Sequence, residues 1–192
     1  MKTVYKKQIE RALYLDYAIS RKISIYNGYF GNELFKHVRF FLKFLEWTAH
    51  GVPWIIYIFI SIYYNQEYIR EFYINVFIGL LFDLLTISFL KLAFKRPRPS
   101  YNENDITLSA TKIDCYSFPS GHATRSFMLF TIYYLYDPKA LYVAYILLWA
   151  FLVSLSRVML GRHHILDVIV GIIVGIANAY VVTSYLYVGN RF

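Results

Sequence analysis

Three short polar strings interrupt an otherwise apolar chain, and their side chains are of the kinds that handle a phosphate. Lys91–Pro99 reads KLAFKRPRP, Pro119–His122 reads PSGH, and Ser156–Asp167 reads SRVMLGRHHILD. Together they supply cations (Lys91, Arg98, Arg157), a hydroxyl beside a glycine (Ser120, Gly121), separated histidines (His122, His163) and a carboxylate, Asp167. Arg offers a planar fork that matches phosphate oxygens, and Lys a point charge. A helix starting at Ser120–Gly121 would add backbone N–H groups to an anion site. An imidazole can attack phosphorus or protonate a leaving oxygen. Asp167 lies at i, i+4 from His163, on one helix face. There it can accept the imidazole N–H, fix the tautomer and stabilise the cation formed on attack. His164 lies at i, i+3 from the same carboxylate, so spacing leaves the choice between the two histidines open.

Each string also has a plainer explanation: a basic membrane edge for the first, a Ser-Gly turn for the second, a helix-start ion pair for the third. A metal site built from His122, His163, His164 and Asp167 is a further reading. The neighbouring cations count against it, because they would repel a divalent ion and already neutralise a phosphate. No metal or cofactor is therefore expected. Asp83 (two turns before Lys91), Arg125 (one turn after His122) and the i, i+4 pair Glu46 and His50 are read as supporting residues. Cys115, the single cysteine, excludes an internal disulfide.

The elements that must position these groups are membrane helices. The chain has 192 residues, is 58% hydrophobic and 20% aromatic, and is 17% charged against about 25% for an average soluble domain. The apolar excess falls in long runs, five of which read as spans: Thr48–Tyr64, Phe72–Phe94, His122–Tyr136, Ala140–Met159 and His164–Val188. The third is short and suits a helix that begins in a protein-lined cavity. Before the spans, Ile9, Leu13, Tyr17 and Ser20 recur at helical spacing among Lys and Arg. This gives an amphipathic helix lying on the membrane surface or packed on the domain, followed by a second such stretch from Leu34 to Trp47. The expected organisation is thus an N-terminal interfacial region, 1–47, and a membrane domain, 48–190. The first 30 residues carry charge throughout and show no apolar run ahead of a cleavage site, so insertion through internal spans is expected.

The net charge of +8 accompanies no nucleic-acid motif and suits a membrane surface with anionic headgroups. Nine Lys and Arg residues precede the first span, whereas the short connectors and C-terminus of the opposite side hold Arg70, Lys139 and Arg191. The positive-inside rule puts the N-terminus in the cytosol. With five spans, all three polar strings then share that face. The composition sets neither oligomeric state nor tail length of any lipid ligand.

The strings resemble the three motifs of the type-2 phosphatidic acid phosphatase (PAP2) superfamily. These are Lys-x6-Arg-Pro (Lys91, Arg98, Pro99), Pro-Ser-Gly-His (119–122) and Ser-Arg-x5-His-x3-Asp (Ser156, Arg157, His163, Asp167), with no motif position missing. LEWTAHGVPW (45–54), TLSATKIDCYSFPSGHATR (107–125) and LSRVMLGRHHILDV (155–168) are similar to the polyisoprenoid or presqualene diphosphate phosphatase branch. The resemblance implies an all-α, multi-pass transmembrane bundle with a PAP2/haloperoxidase-like core. It implies metal-independent hydrolysis of isoprenoid diphosphates or related lipid phosphates in endoplasmic reticulum and nuclear envelope membranes. It makes His163 the nucleophile, His122 the acid for the leaving group and Asp167 the partner of His163. Lys91, Arg98, Ser120, Gly121 and Arg157 become the phosphate cradle. A lipid phosphotransferase and a catalytically silent membrane scaffold are the rival readings. Soluble haloperoxidases share the pocket type but not the spans.

Overall fold

Apolar runs broken by Pro, Gly and polar turns fold as a series of helices. The computed structural model describes residues 2–27, 32–102 and 115–189. These contain α1 (Lys2–Ile23), α2 (Asn32–Thr48), α3 (Gly51–Tyr64), α4 (Glu67–Phe94), α5 (Gly121–Tyr136), α6 (Leu141–Met159) and α7 (Ile165–Tyr185). Residues 107–114 of the string read at 107–125, and Arg191 of the charge count, lie outside the described residues. The all-α class holds among the described residues, where the one β-type pairing is an isolated bridge between Pro97 and Tyr116.

α5 is the axis of the bundle. Its Ala123, Thr124, Ser126, Phe127, Met128, Leu129, Thr131 and Ile132 are all buried. Met128, Leu129 and Ile132 pack with Ile58 of α3, Phe72, Val76 and Leu80 of α4 and Ala179 of α7. The closest approach is between α5 and α7, at Gly171 and Gly175. A Cβ on Gly171 would lie 2.8 Å from the Ser120 carbonyl oxygen, and one on Gly175 would run into the backbone of Thr124. Small residues four apart let two membrane helices touch backbone to backbone. The outward faces are apolar: Leu84, Leu85 and Phe89 of α4, Leu148 and Phe151 of α6, and Ile169 and Ile173 of α7 are all exposed. That inversion suits a hydrocarbon solvent.

The five expected spans correspond to α3 to α7, of which α3, with 14 residues, and α5, with 16, are short. Three helices (69–94, 141–159 and 165–185) are long and apolar enough to cross a membrane, and a fourth span arises if the bent pair 33–48 and 51–64 counts as one. α5 has 16 residues, roughly 24 Å of helix, short of a hydrocarbon core of about 30 Å. It traverses the bundle inside its neighbours rather than in lipid. The stretch from Leu34 to Trp47 forms α2 and runs on into α3, with a bend of 47° between them. Thr48 holds that corner: its carbonyl accepts from Trp54 Nε1 and its hydroxyl oxygen from Trp149 Nε1, both at 2.9 Å.

α1 and α2 pack on the end of the bundle formed by the close of α6 and the start of α7. Ile25 and Leu42 enclose Leu160, while Leu45 and Ala49 meet Val153. α1 turns a polar face inward, with Asp16 and Ser20 buried, while Ile9 is 61% and Leu13 44% exposed. Ile9 and Leu13 of the apolar stripe therefore face away from the protein, whereas Tyr17 and Ser20 turn toward it.

Candidate active site

The three strings become helix ends that meet at one end of the bundle. Lys91 lies in the last turn of α4, buried. The helix stops at Lys95, which takes a left-handed conformation (φ 46°) just ahead of Pro97 and Pro99, and Arg98 follows half-buried on the turn. Ser120 is the residue before α5 and Gly121 and His122 its first two residues. Arg157 lies buried in the last turn of α6, and His163 in the turn that leads to α7.

Two backbone links fix the geometry. The Ser120 N–H donates to the Asp167 carbonyl at 3.0 Å, so the starts of α5 and α7 are tied where Gly171 lets them touch. On the other side, the Ser117 N–H donates to the Arg96 carbonyl at 2.8 Å and the Ser117 hydroxyl to that of Pro97 at 2.9 Å. Ser117 is thereby held by the first string and aims its own carbonyl at His163.

His163 Nδ1 lies 2.6 Å from that carbonyl oxygen. A carbonyl only accepts, so Nδ1 carries the proton and Nε2 keeps its lone pair. Asp167 Oδ2 lies 3.9 Å from Nδ1, beyond hydrogen-bond reach. The expected Asp167–His163 hydrogen bond is thus corrected: a backbone carbonyl orients the ring and Asp167 acts on it as a nearby charge. Asp167 sits in the first turn of α7, and the helix start claims its carboxylate. Oδ2 accepts the His164 N–H at 2.8 Å and lies 3.2 Å from His164 Nδ1, while Oδ1 pairs with Arg96 Nη1 at 2.6 Å.

The two adjacent histidines face different surroundings. His163 is 2% exposed and lies in the field of Arg98, Arg157 and Lys91. Burial, and then those cations, hold its pKa well below the usual value despite the Ser117 bond, which favours the cation. The ring is therefore neutral at pH 7. His164 caps α7 and packs its ring against Tyr17 of α1, centroids 6.3 Å apart.

His122 faces Arg157, Arg125, His50 and Lys91. Lys91 and Arg157 thus act on both His122 and His163, which is the sense in which the strings converge. His122 Nε2 and Ser120 Oγ are buried with no protein hydrogen-bond partner among the described residues. A Cβ on Gly121 would meet only Ile87, at an ordinary 3.5 Å, so protein packing does not demand glycine there. Unpartnered polar atoms beside buried cations and an uncrowded glycine at a helix start can take up an anion.

The supporting residues pair differently from the sequence reading. Glu46 pairs with Arg157 at 2.8 Å and Arg162 at 3.6 Å rather than with His50, whose Nδ1 accepts the Val52 N–H at the start of α3. Asp83 faces Arg125 at 3.7 Å and accepts from Asn178 at 3.4 Å. Among the described residues, no three His, Cys, Asp or Glu side chains converge as metal ligands. Sequence reasoning missed Ser117, Arg96 and Asp16. Arg96 was visible as a cation between Lys91 and Arg98; nothing local marks the other two.

A sequence model described as the PAP2 superfamily matches residues 72–191. A protein of Arabidopsis thaliana named probable lipid phosphate phosphatase beta is 33% identical over 144 residues, covering 62% of this chain and 67% of that protein. Lipid A 4'-phosphatases of Bacteroides thetaiotaomicron and Porphyromonas gingivalis are each 35% identical, over 48% and 59% of this chain and 44% and 50% of their own lengths. The chain spans about half the length of these bacterial relatives. Among solved structures, a PAP2-type phosphatidylglycerolphosphate phosphatase from Bacillus subtilis aligns with a TM-score of 0.74 at 21% identity, over 95% of this chain and 89% of that one. Aquifex aeolicus LpxE aligns with a TM-score of 0.63 at 22% identity, over 88% and 94%. At such identities these two establish the shared fold.

Proposed function

This chain belongs to the PAP2 superfamily and is a membrane phosphatase of that type, and we propose that it hydrolyses polyisoprenoid diphosphates and related lipid phosphates through a phosphohistidine on His163. The observation that carries the reading is the state of His163. The ring is neutral, pinned through Nδ1–H to the Ser117 carbonyl, and lies in the field of Lys91, Arg98 and Arg157. A nucleophile beside a phosphate must be neutral, oriented and surrounded by charge that the pentavalent oxygens can use.

In the first step Nε2 attacks phosphorus in line and the bond to the leaving oxygen breaks. Lys91, Arg98 and Arg157 take up the charge of the equatorial oxygens, with Ser120 and the start of α5 completing the cradle. His122, whose Nε2 has no protein partner among the described residues, protonates the leaving oxygen. In the second step neutral His122 takes a proton from water as the water oxygen attacks phosphorus. The P–N bond breaks and inorganic phosphate leaves. The phosphorylated ring is cationic, and the Ser117 carbonyl and the Asp167 charge stabilise it.

Substrate class rests on three supports: the apolar outer surface, the plant relative's name, and the resemblance of 45–54 and 155–168 to the isoprenoid branch. A tail that stays in the bilayer brings its phosphate to helix ends at one membrane face. The Lys and Arg asymmetry supports a cytosolic position for that face, and the isoprenoid resemblance is the support for the endoplasmic reticulum and nuclear envelope. The test is phosphate release by purified, reconstituted protein from a panel of farnesyl diphosphate, presqualene diphosphate, farnesyl monophosphate and phosphatidic acid, run in EDTA with His163→Ala as control. Diphosphates turned over fastest, and unchanged by EDTA, are the expected result. Faster release from phosphatidic acid would contradict the isoprenoid reading, and loss in EDTA restored by a metal would contradict the mechanism.

A further inference from the structure

We infer that Asp16, on the N-terminal helix, is a positioning residue for the catalytic centre, acting through Arg96 on Asp167. The inference rests on His163 being the nucleophile, and it concerns a residue outside the 72–191 family match.

Arg96 divides one guanidinium between two carboxylates. Nη1 lies 2.6 Å from Asp167 Oδ1 and Nη2 2.7 Å from Asp16 Oδ2. Asp16 and Asp167 are both buried. The second Asp16 oxygen, Oδ1, accepts the Leu166 N–H at 3.1 Å, and Ser20 Oγ, one turn on, accepts the Ile165 N–H at 3.0 Å. With the His164 N–H on Asp167, three successive N–H groups at the start of α7 are held by side chains, two of them supplied by α1.

A plain helix cap needs only a nearby hydroxyl, and Ser20 provides one. Asp16 adds a buried charge from a distant part of the chain, which is costly unless it is paired. Its effect lies in the charge count around His163. Asp16, Arg96 and Asp167 together carry one net negative charge, with Asp167 Oδ2 3.9 Å from His163 Nδ1. Remove the Asp16 charge and Arg96 neutralises Asp167 outright, just as the imidazolium of the phosphoenzyme needs it. The same carboxylate also steers the guanidinium so that it meets Oδ1 and leaves Oδ2 on the histidine side. The geometry of α1 fits this role. The helix presents Asp16 and Ser20 inward and leaves its apolar stripe, Ile9 and Leu13, to the membrane, so a lipid-seated helix holds the catalytic turn in place.

The test uses full-length protein in phosphatidylcholine vesicles, with kcat and KM measured on the better hydrolysed of farnesyl diphosphate and phosphatidic acid. Asp16→Asn keeps the shape and loses the charge; it should lower kcat at least about 10-fold with KM within about 2-fold. Asp16→Glu should recover much of that loss. Ser20→Ala, which removes the cap and a long 3.5 Å bond to Asp16 Oδ1 but no charge, should keep kcat within about 2-fold. Arg96→Lys keeps the charge but cannot bridge both carboxylates, and should lower kcat as Asp16→Asn does; it decides the matter if Asp16→Asn fails to fold. A near-wild-type kcat in Asp16→Asn, or equal kcat losses in Asp16→Asn and Ser20→Ala that track a common drop in Tm, would overturn the inference. An inactive His163→Ala beside a wild-type-like Asp16→Asn would sink it while leaving the nucleophile standing. An active His163→Ala would remove the nucleophile reading, and this inference with it.

Discussion

The two ends of this bundle share α4, α5 and α6 and are satisfied in opposite ways. At the site end, where α4 and α6 finish and α5 and α7 begin, Lys91, Arg157, His163 and Asp167 are buried together. At the far end α3, α4, α5 and α6 line an open pocket of about 470 Å³, with Trp54, Tyr57, Phe72, Tyr73, Tyr133 and Tyr136 among its walls. Charged groups there, Arg70 on the Asn65 carbonyl and Asp137 on the Lys139 N–H, stay exposed in the connectors, and neutral links join the helices. Tyr57 and Tyr73 join hydroxyls at 2.8 Å, and Asn75 exchanges two bonds with the backbone of Val188, at 2.8 and 2.9 Å. Neutral links close a helix bundle at little cost in a low-dielectric medium, whereas clustered charge there is expensive. The charge at one end is therefore retained for chemistry, and the far end shows what mere closure requires.

Substitutions should divide along that line. The largest effect belongs to His163→Ala, which should lower kcat by about 10⁴-fold or more, while His164→Ala should stay within about 10-fold because it disturbs only the cap of α7. The reverse ranking, read from steady-state phosphate release, would reassign the nucleophile.

Next is Gly175→Ala, whose Cβ meets the backbone of Thr124. It should cost about 1–3 kcal/mol of stability. By spreading α5 from α7, it should also reduce kcat more than a far-end substitution of equal stability cost, measured as Tm and kcat on one preparation. Matched losses at both ends would show that the close crossing serves stability alone.

The pH response should be smaller and signed. Burial and the cations Arg98, Arg157 and Lys91 hold the His163 pKa well below about 6.5. The neutral ring therefore persists as pH falls through 6.5, and the acid limb of kcat/KM attributable to this group should lie below that value. For stability, the unfolded chain takes up a proton near 6.5 that the native ring refuses. The contribution from His163 is thus present above about 6.5 and lost as pH falls from there toward the lowered native pKa. An acid limb at or above 6.5 that disappears in a stable variant of Lys91 would contradict this sign, since removing a cation should move the limb upward.

The smallest effect is expected from Tyr57→Phe. It should cost about 0.5–1.5 kcal/mol through the lost Tyr73 bond and leave kcat within about 2-fold. A large loss of activity would mean that the far end takes part in substrate handling.

What was legible in the sequence follows the range of the physics. Helices, their stops at Pro97 and Pro99, and the convergence of the motif residues are written in local patterns and in parity of turns. The Ser117 carbonyl was not legible, because every residue type offers a backbone oxygen and only the fold aims one. Ser20 looked like part of an amphipathic stripe and nothing marked Asp16, yet both cap a helix start about 150 residues away. In lipid the inward face of a helix can be the polar one, which inverts the soluble reading. Gly171 and Gly175, passed over in the sequence, mark the crossing that brings Ser120 to Asp167. The third apolar run was legible as a short span suited to a protein-lined surrounding, and α5 is the helix most enclosed by its neighbours.

The central claim is a phosphoryl group on His163, and rapid acid-free quenching with ³²P-labelled farnesyl diphosphate tests it most directly. The account predicts alkali-stable, acid-labile label on the wild-type chain, absent from His163→Ala and present in His164→Ala. Label retained by His163→Ala, or alkali-labile label of the kind an acyl phosphate on Asp167 would give, would contradict it.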